Sequence, residues 1–139
     1  MENMAAKVTA AFFDQKQLRY DRRGENGEAI IAGFAMDNKE GMKVLMVFDD
    51  NNSGVKLTGL EIAKFPESKK ADVYKLCSEM NARFRWAKFY VDEDDNTIVA
   101  EDDAVIFLDT CGEEVLRCCL QLVKVVDVAY PMIMKALYA

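Results

Sequence analysis

Between Ala29 and Phe65 the chain carries three apolar runs whose connections are too short for anything but antiparallel pairing. Ala29 to Met36 is bounded by Gly27 and Asp37-Asn38. Met42 to Phe48 closes on Asp49-Asp-Asn-Asn-Ser-Gly54, a run suited to a hairpin, and Val55 to Phe65 follows at once. A parallel crossover needs a dozen or more residues and usually a helix. These connections hold neither, so the three runs read as a meander. Gly59 inside the third marks a bulge or a close backbone approach.

On both sides of the meander the apolar period changes from two to 3.6. Residues 4–16 are rich in helix formers, with Ala5, Val8 and Phe12 on one stripe, and Asp21-Arg-Arg-Gly-Glu-Asn-Gly27 is turn chemistry. Past Pro66, the spacing of Val73, Leu76, Cys77 and Met80 predicts an amphipathic helix over 67–81. Residues 85–92 alternate, with Ala87, Phe89 and Val91 on one face and Trp86, Lys88 and Tyr90 on the other. An acidic turn, Asp92-Glu-Asp-Asp-Asn96, leads into a further strand from Thr97 to about Leu108, with an interruption expected near Asp102-Asp103.

Thr110 and Glu113 form a capping box that opens a last helix. Its expected apolar stripe runs through Leu116, Cys119, Leu120, Val123, Val126, Tyr130, Ile133 and Leu137, and Pro131 is expected to kink it near Asp127. The predicted class is α+β: an antiparallel five-stranded sheet in the order α-β-β-β-α-β-β-α, one domain over residues 1–139.

Composition excludes several functions. Eighteen basic against 24 acidic residues give a net charge of -6, which a nucleic-acid or anionic membrane surface repels unless a basic stripe compensates. Arg22-Arg23, Lys69-Lys70 and Arg83/Arg85/Lys88 are short and scattered, although the last group surrounds Trp86. Neither nucleic acid nor membrane is expected as a partner. Cys77, Cys111, Cys118 and Cys119 lack a regular disulfide spacing, and no signal-peptide pattern or membrane-length apolar run accompanies them. Reduced thiols and a cytoplasmic location are the expectation.

The chain has no histidine. That removes Ser-His and Cys-His nucleophile pairs, the common zinc sites and the usual general base at neutral pH. The seven glycines form neither a GxGxxG nor a P-loop. Asp92, Asp94, Asn96 and Asp103 fall at positions 1, 3, 5 and 12 of an EF-hand-like register, with Val99 at the apolar eighth. Thr97 stands where that loop needs Gly, Asp103 replaces the bidentate Glu, and strands flank it, so no metal site is expected. Cys111 lies in the first turn of the last helix, where the helix dipole favours a thiolate, but Glu113 and Glu114 oppose it. The other three cysteines read as small core fillers. No catalytic residue and no cofactor are expected.

A family resemblance rests on three stretches. Leu76-x-x-x-Met80-Asn81 leads into Trp86-Ala-Lys-Phe89; the acidic turn is followed by Ile98-Val-Ala-Glu-Asp-Asp; and Val125-Val-Asp-Val-Ala-Tyr-Pro131 lies in the last helix. With the element order, these make the whole chain resemble the YbjN family of bacterial proteins and, more broadly, the type III secretion chaperone-like fold. The resemblance implies a non-enzymatic module that binds itself, or an extended segment of another protein. Secretion chaperones of this fold are acidic homodimers that hold an effector segment, and YbjN-like proteins carry the label of sensory-transduction regulators. The alternative is a carboxylate-based enzyme or a metal-dependent small-ligand domain.

The candidate interface follows from strand alternation. If Met42, Val44, Met46 and Phe48 face the helices, Leu45 and Val47 face away, and Trp86 and Tyr90 face away if Ala87, Phe89 and Val91 are inside. Large apolar and aromatic side chains on an open sheet face predict a homodimer through that face. The competing expectation is that the last helix wraps back over it within one chain.

Overall fold

A computed structural model describes residues 1–138. Helix α1 spans Met4–Gln15, and strands β1 (Asp21–Arg23), β2 (Ala29–Phe34), β3 (Met42–Phe48) and β4 (Gly54–Lys64) follow. A 3-10 turn at Glu67–Lys69 leads into α2 (Lys70–Arg83), β5 (Lys88–Asp92), β6 (Thr97–Val105) and α3 (Cys111–Tyr138). The sheet is wholly antiparallel in the order β1-β2-β3-β4-β6-β5.

The sheet therefore has six strands, not five. The added one is β1, which lies within the segment read as a turn and pairs Arg22 with Ile30. It carries no apolar alternation because Arg22 points inward and works through hydrogen bonds. Its guanidinium donates to the carbonyls of Gly27 and Asn3 and pairs with Glu2. A short, charged strand is also a common way to blunt a sheet edge.

All three helices pack on one side. The alternation of β3 is that expected: Met42, Val44, Met46 and Phe48 are buried under the helices, and Lys43, Leu45 and Val47 turn away. The stripe on α3 is shifted from the predicted one. Val115, Cys119, Leu122, Val126, Ala129, Ile133 and Leu137 are buried, whereas Leu120 is 52% exposed. Leu116 and Tyr130 are half-buried at the margins. Gly112 lets α1 approach closely, since a Cβ there would stand 2.5 Å from that of Phe12. At the start of α3 it is Glu114, rather than Glu113, that reaches back, accepting a hydrogen bond from the Phe107 N–H.

The bulge expected at Gly59 is present, but what approaches this residue closely is the Met42 side chain rather than another backbone. Gly59 pairs with Ala100 and Ala63 with Ile98, so four steps along β4 oppose two along β6, and Glu61 takes a left-handed φ of 54° within this bulge. A Cβ at Gly59 would come within 2.8 Å of the Met42 sulfur.

Two of the stretches that carried the family resemblance are side-chain clamps on backbone. Asn81, at the end of α2, accepts from the Phe89 N–H at 2.7 Å and donates to the Phe89 carbonyl at 3.0 Å. Phe89 directs these groups away from β6, so the amide occupies the outer edge of β5 as another strand would. The second clamp is built around Pro131. Proline has no N–H to give to the carbonyl four residues earlier, that of Asp127. The orphaned carbonyl accepts instead from the Asn38 side chain, while the Asp127 carboxylate accepts from the N–H groups of Asp37 and Asn38. The helix continues through Pro131 and the β2–β3 loop is tied to it. Asp127→Ala is expected to destabilise the protein by about 1–2 kcal/mol. Urea unfolding checks this, together with faster hydrogen exchange at the Asp37 and Asn38 amides.

Among the described residues no helix is long and apolar enough to cross a membrane.

Candidate functional site

With the helices gathered on one side, the other face of the sheet is bare. Helix α3 packs against the inner surfaces of β4 and β6 and does not wrap round. Reading across β2, β3, β4, β6 and β5, the register sets Ile31, Leu45, Thr58, Glu101 and Lys88 in one outward row. The adjacent row holds Ala29, Val47, Lys56 and Asp103. The face is a mixture: apolar side chains towards β2 and β3, then alternating cations and acids. Lys56 pairs with Glu101 at 3.7 Å, and the Tyr90 hydroxyl donates to Glu101 at 2.9 Å. Burial, then Glu101, push the Tyr90 hydroxyl above its ordinary pKa, so the ring stays neutral and a donor.

Of the four sequence-predicted residues, Leu45, Val47 and Tyr90 project from this face. Val47 is 37% and Tyr90 43% exposed, and Leu45 is half-buried. They do not form one cluster. Strands β4 and β6 separate β3 from β5, a distance of about 14 Å at ordinary strand spacing. Trp86 is displaced further: β5 begins only at Lys88, and Trp86 lies in the preceding turn with a left-handed φ of 71°. Its exposed ring carries the Arg85 guanidinium 4.6 Å from the centroid. Two exposed side chains were missed. Val105, outward-facing at the end of β6, is 78% exposed, and Phe107 just beyond it is 68% exposed. Strand alternation carried on from Val99 through Glu101 and Asp103 would have found the first.

The groups that suggested other chemistry are dispersed. Asp92 accepts from the Asp94 N–H, Asp95 from the Thr97 hydroxyl, and Asn96 donates to Glu67. Asp103 stands on β6 opposite Lys56, about 20 Å of strand from the start of that hairpin. No group of three or more His, Cys, Asp or Glu suited to a metal ion occurs among the described residues. Burial raises the Asp102 carboxyl above its ordinary value, and a hydrogen bond from the Asp103 backbone opposes the shift; among the described residues no cluster of acids converges on it.

All four cysteines are free thiols. Burial pushes Cys77 up to about 11 and Cys119 up to about 12, and burial, Asp102 and Glu114 raise Cys118. Cys111 is fully buried, with its sulfur beside the Thr9 hydroxyl and the carbonyls of Ala5 and Leu108. Thiols that are buried, or whose pKa is raised, are poor nucleophiles. Iodoacetamide at pH 7.5 (about a unit below the ordinary thiol value) is therefore expected to leave the native protein unmodified. Mass spectrometry after denaturation should show all four sites alkylated.

Comparison with known proteins agrees with this architecture. No curated protein matches the chain significantly. Solved structures share its fold: E. coli YbjN, with a TM-score of 0.59 at 16% identity, covers 91% of each chain. The ExsC–ExsE complex gives 0.61 at 14% identity over 94% of this chain and 96% of the other. The HopA1–SchA chaperone–effector complex gives 0.52 at 13% identity over 88% and 90%. The sequence profile of a family described as "Putative bacterial sensory transduction regulator" matches residues 6–110. That span takes in all six strands, α2 and the Asn81 clamp, and the chain belongs to the YbjN family.

Proposed function

We propose that this chain is a non-enzymatic, chaperone-like protein-binding module that works as a homodimer, two copies meeting through the open sheet face. The observation that carries the reading is the asymmetry of the sheet, with every helix on one side and Leu45, Val47, Tyr90 and Val105 uncovered on the other. One-sided antiparallel sheets normally present polar residues to solvent. Here the outward rows interleave apolar side chains with Lys56, Lys88, Glu101 and Asp103. A two-fold axis through such a face can set the cations of one copy against the acids of the other.

Six strands about 4.8 Å apart and about six residues long make a face of roughly 24 by 20 Å, or about 480 Å² in projection. That is a little over half of the ~800 Å² per partner of an ordinary stable interface, and the relief of the side chains and the exposed Phe107 beyond the edge add to it. The family membership and the two similar structures of protein complexes support a protein as ligand. The carboxylate-enzyme alternative lacks comparable support, since its acids are dispersed along a hairpin and a strand. Sedimentation equilibrium tests the reading. A dimer with a micromolar or tighter dissociation constant is expected, and a monomer throughout the micromolar range contradicts it.

A further inference from the structure

On the opposite side of the molecule, α1 and α3 leave a groove of about 570 Å³ between them. Its floor is apolar, made by Phe12, Leu116 and the exposed Leu120. Lys16, Arg117 and Lys124 form the rim, with Glu113 at one end. Lys16 lies over the Phe12 ring at 5.5 Å, and none of the three cations is in an ion pair among the described residues. In a chain of net charge -6 this is a local positive collar around an uncovered apolar strip.

We infer that this groove takes an amphipathic helix of a partner protein, with apolar anchors along one face and carboxylates beside them. The inference rests on the protein-binding reading above and names the chemistry of the partner. Three features select this occupant. Leu116 and Leu120 are spaced i, i+4 on α3, and Phe12 in the last turn of α1 stands opposite with Lys16 at the C-cap, so the walls present the ridges into which a third helix packs. Both walls are helices whose backbone groups are already bonded internally, so an extended strand would find no edge to pair with, whereas a helix satisfies its own backbone. The rim then sets the sign of the flanking charge. From Glu113 to Lys124 the groove follows α3 for about 16 Å, the length of about three helical turns.

The test uses a labelled synthetic peptide of about 14 residues, with leucines at i, i+3/i+4 and i+7 and glutamates flanking them. A control peptide has lysine at each glutamate position. Fluorescence anisotropy with the full chain is expected to show saturable binding of the glutamate peptide, weakened by salt, and none of the lysine peptide. Leu120→Asp, and Arg117→Glu combined with Lys124→Glu, should each weaken binding by about tenfold or more. These are surface positions, so the variants keep the wild-type unfolding midpoint. Val47→Asp with Tyr90→Asp on the sheet face should leave peptide binding unchanged. Absent or charge-indifferent binding overturns the groove assignment. So does binding lost only in the sheet-face variant, an outcome that leaves the protein-binding reading standing. Co-sedimentation with phosphatidylserine vesicles, abolished by the same rim substitutions, overturns it in favour of a lipid surface.

Discussion

Aspartate at both Val47 and Tyr90 is expected to convert the proposed dimer into a monomer, weakening self-association by about a hundredfold or more. The two side chains leave the sheet on different strands, so together they charge both halves of the proposed interface. Each copy would then bury two added carboxylates in a face whose cations, Lys56 and Lys88, already stand opposite Asp103 and Glu101. In the single chain both residues are more than a third exposed, and each contributes little to the core. The monomer should therefore unfold at nearly the wild-type urea concentration, apart from the stability that dimerisation itself supplies. Val128→Asp, on the solvent side of α3, is the control and should leave the mass in solution unchanged. Light scattering at several concentrations reads both outcomes.

The largest loss of stability outside the apolar core is expected at Asn81. Its amide satisfies both the N–H and the C=O of Phe89, and Phe89 is itself nearly fully buried. Asn81→Ala orphans a donor and an acceptor at a partly buried site, at an expected cost of about 2–4 kcal/mol. Asn81→Asp separates the two bonds: a carboxylate still accepts from the N–H but repels the carbonyl, so part of the loss remains. The edge of β5 also becomes available for pairing with another chain. Urea unfolding reads the first effect, and the onset of aggregation on warming reads the second. A cost below about 0.5 kcal/mol would show that water replaces the amide and that the clamp does not hold the edge.

How far the sequence discloses this structure depends on the interaction involved. Strands β2 to β6 and helix α2 follow from apolar period and turn residues, because their signal is local. Strand β6, however, runs unbroken through Asp102 and Asp103, where pairing with Leu57 and Lys56 of β4 overrides the expected interruption. β1 does not follow in this way, since its inward residue is Arg22, stabilised by Asn3 and Gly27 on other segments. The stripe on α3 is misplaced at Leu120 for a related reason. A long apolar helix offers more apolar positions than the sheet can cover, and only the docking of α1 decides which remain outside.

The candidate interface was legible as a face but not as a patch. Alternation alone turns Leu45, Val47 and Tyr90 outward, whereas their separation depends on the crossover that inserts β6 between β4 and β5. Trp86 shows a different limit. Its left-handed backbone begins a turn where alternation suggested a strand, and nothing in the residue type predicts that. Conversely, the Asn81 and Asp127 clamps explain stretches that the sequence marked only as likeness to a family.

Hydroxyl-radical footprinting of the wild-type protein at nanomolar and at high micromolar concentration reads whether the open sheet face is where two copies meet. Leu45, Val47, Tyr90 and Val105 should be protected at the higher concentration by at least about threefold, as expected for side chains entering a dry interface core. Leu120, Val128 and Tyr138 on the helical side should react at the same rate in both samples. Protection confined to the helical side, or none on the sheet, would contradict dimerisation through the sheet.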